Sequence, residues 1–178
     1  MEALSADLYS ILNDSSSSDL TLICPDGEVQ VHRCIMAGRS PVFNSLLKSD
    51  MVEKVRGIVK IDDFNVDVVR SMVLYIYTAK IEDTFDDIVT LMKIGVKYLM
   101  QTLVDECSKK LIKLITVSTV LELGVVAEVH SVQELMESCA QFVSENMDVL
   151  ENDWKEKLKS SPQFLMSIIE VMKSYLYG

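Results

Sequence analysis

The chain has 178 residues, 49% of them hydrophobic and 25% charged, with a net charge of −10, so it can hold one domain or one and a half around a sizeable core. An acidic chain repels phosphates, which argues against nucleic acid as a partner. No apolar run reaches the ~18 residues needed to span a bilayer, and the N-terminus has neither the basic region nor the apolar core of a secretory leader.

In chain order, residues 4–12 place Leu4, Leu8, Ile11 and Leu12 on one stripe of an amphipathic helix. A polar loop with four serines at 15–18 follows. The run 20–24 is short, apolar and β-favouring. Pro25-Asp26-Gly27 then reads as a turn, in which Pro presets φ and Gly accepts a positive one. Val29 and Val31 alternate with polar neighbours, so two strands flank the turn as a hairpin. Residues 33–37 read as a short helix ending at Gly38. Ser40-Pro41 opens the next, over 40–48, with Ser as N-cap and Pro at the first helical position. Val42, Phe43, Leu46 and Leu47 form its apolar face. Residues 49–54 are polar except for Met51 and Val52, and a strand follows at 57–61.

Asn65 can cap a helix over 66–77, with Val69, Met72, Val73 and Ile76 inward. Thr84 caps a helix at 85–100, and 101–115 adds another, whose Lys109, Lys110 and Lys113 suit the negative end of a helix dipole. Thr119-Val-Leu-Glu122 and Ser131-Val-Gln-Glu134 have the spacing of capping boxes. They predict helices over 119–129 and 132–147, paired as a hairpin with His130 capping at its turn. Residues 152–157 begin a further helix. Ser161-Pro162 opens the last one, with Phe164, Leu165, Ile168, Ile169 and Met172 apolar.

Reactive groups are sparse. Cys24, Cys34, Cys107 and Cys139 are scattered without a C-x-x-C spacing, as expected of reduced thiols. Two histidines, His32 and His130, are too few and too far apart for a metal site. No nucleophile-base set and no Gly-rich phosphate loop can be assembled. Asp62-Asp63 and Asp86-Asp87 fall at turns and helix starts, where they cap or are solvated. No catalysis and no cofactor are expected.

The order strand, strand, short helix, second helix, together with "SDLTL", "VHRCIMAGRSPVFNSLL", "VEKVRGIVKIDDFNVDVVRSMVLYIYTAKIE" and "VKYL", resembles the BTB (POZ) domain over roughly the first two-thirds of the chain. "DVLENDW" and "SSPQFLMSIIEVM" are similar in order to the segment that follows it in the speckle-type POZ proteins. The resemblance implies an α+β BTB/POZ fold, a small sheet flanked by helices, over 1–115. An all-helical 3-box and partial BACK extension over 116–178 would follow. One departure is Ala79 in "YIYTAK", where the family pattern has Gly.

The resemblance also assigns surfaces. Leu4, Leu8 and Ile11, with Ile35, match the face that packs across the two-fold axis of BTB dimers. Asp19 and Arg33 match a charged pocket near that axis; from the residues alone they read as a structural pair that supports the fold. Met51-Val52-Glu53 fits the hydrophobic-x-Glu pattern of BTB proteins that bind cullin-3, with Met51 as the anchor. Tyr98 matches the place where the late BTB helices approach the same partner. Ile169 aligns with a central aromatic position of a second self-association surface, which links dimers into higher-order chains.

The implied function is a non-catalytic, dimeric substrate adaptor of a cullin-3 RING ubiquitin ligase, nuclear or cytoplasmic, binding cullin-3 through the Met51 loop and the 3-box helix pair. It implies no membrane, no nucleic acid and no cofactor. The substrate-recruiting MATH domain of that family is absent from these residues. The second reading is a BTB self-association scaffold that recruits corepressor or other peptides in transcriptional regulation. The absence of zinc-finger spacing and the BACK-like segment count against it. A channel-type tetramerisation domain fits less well still.

Overall fold

The computed structural model describes residues 2–48, 57–81, 84–147 and 158–177, and these fall into two units, Met1–Val104 and Asp105–Gly178. The first unit contains α1 (Glu2–Asn13), a 3-10 turn (Ser15–Ser17), β1 (Leu20–Cys24), β2 (Gly27–Val31), α2 (Arg33–Arg39), α3 (Pro41–Lys48), β3 (Ile58–Lys60), α4 (Val66–Thr78) and α5 (Phe85–Lys97). The division falls inside α6 (Gln101–Ile112); the second unit continues with α7 (Val120–Val129), α8 (Gln133–Glu145) and α9 (Pro162–Tyr177). The class is therefore α+β, a small sheet flanked by helices and followed by helices alone.

The sheet has the order β2-β1-β3, with β1 antiparallel to β2 and parallel to β3. Leu20, Leu22 and Cys24 alternate inward from the central strand, as period-two patterning requires. Cys24 pairs with Gly27, so Pro25 and Asp26 alone make the turn and Gly27 already belongs to β2. The positive φ expected at Gly27 is not taken there; among the described glycines it occurs at Gly57.

Helix α4 is the centre of this unit. Val66, Val68, Val69, Met72, Val73, Tyr75, Ile76 and Tyr77 are all buried, and α1, α2, α5 and β2 pack on it. A helix apolar on most sides is stable only when covered on most sides. Two side chains satisfy its first N–H groups. Asn65 Oδ1 accepts from Val68 N at 3.0 Å, as predicted, and Asp26 Oδ1, in the hairpin turn, accepts from Val66 N at 2.8 Å. At the other end Ala79 is left-handed (φ 57°), and its N–H donates to Tyr75 O at 2.8 Å. Alanine thus fills a left-handed helix terminus in which glycine carries no Cβ strain.

Several expectations are corrected. Thr84 stands at the N-cap of α5 but makes no side-chain cap bond, its hydroxyl donating to the Asp87 carboxylate instead. Helix α5 stops at Lys97 rather than 100, because Leu99 turns left-handed (φ 51°). Leu99 N–H bonds Val96 O and Met100 N–H bonds Gly95 O, which closes the helix as a Schellman motif. The second capping box fails for the same reason. Ser131 (φ 56°) closes α7 in that motif and is not the N-cap of α8. The first box fails because Thr119 Oγ1 is engaged in the preceding turn, with Leu114 O and Thr116 N, and makes no side-chain cap bond to α7. The helix expected at 152–157 lies outside the described residues.

In the second unit α7 and α8 form the predicted hairpin, and α9 packs on both. Phe164 and Ile168 of α9 are buried, as are Leu123 and Ala127 of α7 and Leu135, Cys139 and Val143 of α8. Helix α9 begins at Pro162 as expected, but its free N–H groups find their acceptor on another helix. Glu128 of α7 accepts from Gln163 N (3.1 Å) and Phe164 N (3.0 Å). Beside this contact, Gly124 leaves no room for a Cβ, which would overlap the Phe164 ring.

Two substitutions test these contacts by denaturant unfolding. Gly124→Ala should destabilise the second unit by about 1–3 kcal/mol or more, since α7 and α9 must part or Phe164 must leave its rotamer. Ala79→Gly should stabilise the first unit by about 1 kcal/mol, the left-handed strain relieved (about 1–2 kcal/mol) outweighing the entropy added to the unfolded chain (about 0.4–1 kcal/mol).

Candidate functional site

The predicted charged pair is held by backbone contacts. Asp19 Oδ1 accepts the N–H of Arg33 at 2.8 Å, and Arg33 Nε–H donates to the Asp19 carbonyl at 3.0 Å. Helix α2 has no cap from its own N-cap residue, His32. Asp19, just ahead of β1, supplies one. Gly57 (φ 64°) completes the corner, where a Cβ would stand 2.9 Å from Asp19 O and 3.1 Å from the Arg33 guanidinium. Asp19 and Arg33 therefore fix the entry to α2 relative to the sheet.

Next to this corner runs a polar chain that sequence reading did not find. Tyr77 Oη lies 2.9 Å from His32 N and 2.8 Å from His32 Nδ1, and His32 Nε2 lies 3.0 Å from Ser17 Oγ. The phenol accepts the backbone N–H, so its own proton goes to Nδ1, and Nε2–H donates to Ser17; this tautomer is assigned from the network. Burial pushes the Tyr77 phenol up to about 12. No local pattern joins residues 45 positions apart, so the sequence carries no signal for it.

The four dimer candidates differ in exposure. Leu4 and Ile11 on α1 are 63% and 41% exposed, whereas Leu8 and, on α2, Ile35 are half-buried. Helix α1 is nonetheless docked on its own unit, with Ser5 Oγ donating to Thr78 O at 3.0 Å on α4. Part of the predicted apolar stripe thus faces solvent.

Among the cullin candidates, Met51, Val52 and Glu53 lie outside the described residues. Tyr98 is described, and only 3% of it is exposed. Its ring stacks on Phe43 of α3 at 4.6 Å, and its carbonyl accepts from Ser40 Oγ at 2.7 Å. The ring therefore offers almost no surface to a partner and instead locks the start of α3 to the end of α5. Burial again pushes the phenol up to about 12. The neighbouring Leu99 is 61% exposed.

Ile169 is half-buried on α9, between an exposed Met166 and, two turns on, an exposed Tyr175. Cys24, Cys107 and Cys139 are buried, Cys34 is exposed, and the four form no disulfide; burial pushes Cys139 up to about 12. Among the described residues no group of His, Cys, Asp and Glu could hold a metal ion, and no helix is long and apolar enough to cross a membrane.

Comparison with known proteins agrees with this geometry. The family model described as BTB/POZ domain matches residues 8–115. A BTB/POZ domain-containing protein of Arabidopsis thaliana is 27% identical over 170 residues, covering 90% of this chain and 68% of its own length.

The buried phenols predict an alkaline limit to stability. Each ionises near its ordinary value of 10 in the unfolded chain but only near 12 in the fold. Their contribution is complete below pH 10, and unfolding releases protons above it. Stability should then fall by about 1.4 kcal/mol per pH unit per phenol. Cys139 acts in the same direction from its ordinary value of 9. Denaturation midpoints taken from pH 8 to 11.5 should show this slope. Tyr98→Phe should flatten it with little change at neutral pH. Tyr77→Phe should flatten it and also cost about 1–3 kcal/mol at pH 7, because the His32 N–H loses its acceptor.

Proposed function

The chain belongs to the BTB/POZ domain family, a family of protein-interaction modules that are generally non-enzymatic, and from that premise we propose that it is a dimeric, non-catalytic adaptor that docks cullin-3 in a ubiquitin ligase. The observation that carries the reading is the triplet Met51-Val52-Glu53, just past the end of α3 in sequence. Hydrophobic-x-Glu at that point is the pattern of cullin-3 binders in the family. Met51 is the proposed anchor, a flexible thioether suited to an irregular apolar pocket on the partner.

Further features support the reading. The BTB domain is followed by the helical hairpin α7–α8 and then by α9, which on this reading would correspond to the 3-box pair and partial BACK segment of the speckle-type POZ proteins. Leu4 and Ile11 leave an apolar stripe of α1 in solvent, as an isologous dimer surface requires. Ile169, with Met166 beside it, would form the second self-association surface. Substrates would come through a domain outside these residues, in the nucleus or the cytoplasm.

A second reading, a scaffold for corepressor or other peptides, is favoured by one feature. A groove of about 380 Å³ lies between α1, β2 and α4, lined by Leu12, Val29, Gln30, Val73 and Leu74 among others. Strand β2 is the edge of the three-stranded sheet, and an edge can accept an added strand.

Calorimetric titration of the chain with the N-terminal domain of cullin-3 separates the two. The adaptor reading expects saturable binding that Met51→Asp abolishes and Glu53→Ala weakens, with circular dichroism unchanged. Absence of binding by a folded wild-type chain would sink it. Independently, light scattering of Leu4→Asp/Ile11→Asp should show the dimer mass halved; a mass that stays at the wild-type value places the dimer surface elsewhere.

A further inference from the structure

The second unit carries an open groove along α8, the second helix of the pair that the adaptor reading gives to cullin-3. It lies between the end of α6 and one face of α8 and encloses about 450 Å³. Ile112 and Ile115 form one side and the half-buried Phe142 the floor of the other. Glu137, Gln141 and Glu145, all exposed and on the same face of α8, make its polar rim.

The rim carboxylates are oriented by neutral donors among the described residues. Glu137 accepts from Gln133 Nε2 at 2.6 Å. Glu145 accepts from the Tyr175 hydroxyl of α9 at 3.1 Å and from the Gln141 amide. All three donors are neutral, and neither carboxylate meets a cation among the described residues. The two acids are eight residues apart on one helix, so they stand roughly 12 Å from each other along its axis.

These features narrow the occupant. A wide trough buries too little of a small molecule to hold it. Carboxylates on the rim repel phosphate, which excludes nucleic acid and anionic lipid surfaces. An apolar floor with two negative charges spaced by two helical turns is the complement of a helix that presents aliphatic side chains between two lysines or arginines. We propose that this groove is a docking site for a basic amphipathic helix of a partner protein, with aliphatic side chains on Ile112, Ile115 and Phe142 and cations on Glu137 and Glu145. The proposal does not depend on cullin-3 binding.

The test uses the whole chain and a fluorescent synthetic helix with lysines at i and i+8 and leucines at i+4 and i+5, followed by anisotropy. Saturable binding is expected, weaker as salt is raised from about 50 to about 300 mM, where the Debye length shortens. Glu137→Lys/Glu145→Lys should weaken it about tenfold, and Phe142→Ala, which leaves the charge unchanged, should weaken it too. Asp86→Lys/Asp87→Lys makes the same change of net charge on the exposed start of α5 and should leave binding intact. The proposal is overturned if the folded chain shows no saturable binding, or if the two double reversals weaken it equally, which would mean general attraction to an acidic protein. It is also overturned if the Glu137→Lys/Glu145→Lys chain loses cullin-3 or halves its mass in light scattering, since the groove would then belong to the cullin site or to a second copy of the chain.

Discussion

Burial of α4 is the constraint on which the first unit depends. Eight of its thirteen residues are buried, so the sheet and the other helices must cover it on nearly every side. The sheet alone, three strands of at most five residues, has too small an inner face to stand by itself. It is stable because Leu20, Leu22, Val31 and Val59 share one core with α4. Tyr77 shows what such burial demands of a polar group. Its hydroxyl is carried inward with the ring, and it is tolerable there because His32 gives it both a donor and an acceptor.

The acceptors at three helix starts come from distant elements. Asp26 in the hairpin turn serves α4, Asp19 ahead of β1 serves α2, and Glu128 on α7 serves α9. Each bond joins segments that chain order separates, so these three caps form only once the neighbouring segment is in place, whereas the Asn65 cap of α4 is local. This makes helix entry a tertiary event within each unit.

That arrangement also explains what was legible in the sequence. Period-two and period-3.6 patterning located the hairpin, β3 and the order of helices, because burial of apolar side chains decides both pattern and packing. Asn65 was legible because its bond is local. The capping boxes at Thr119 and Ser131 were misread because spacing alone cannot show that a left-handed residue already ends the previous helix, or that a threonine is engaged with the turn before it. Tyr98 was legible as a place in the chain but not as a buried ring, since its partner Phe43 is far away in sequence. The Ser17–His32–Tyr77 chain had no sequence signature. Of the proposed surfaces, the exposure of Leu4 and Ile11 could be read from the stripe only with the help of the family resemblance, because an apolar stripe by itself predicts burial.

Exposed apolar groups in this chain stand where a buried role has been refused. Ser5 anchors α1 to α4 and turns Leu4 and Ile11 outward. Leu99 carries both left-handed strain and 61% exposure at a position where glycine would incur neither. An acidic protein has polar side chains enough to cover such spots, and net charge keeps it soluble in spite of them. Retaining aliphatic groups on a docked helix and on a locked turn therefore costs solubility and gains nothing for the isolated unit. The balance reverses only in an assembly, where the same side chains leave water at about 25 cal/mol for each Å² covered. On the adaptor reading proposed above, Leu4 and Ile11 leave water in this way against a second copy of the chain, as befits a family of protein-interaction modules.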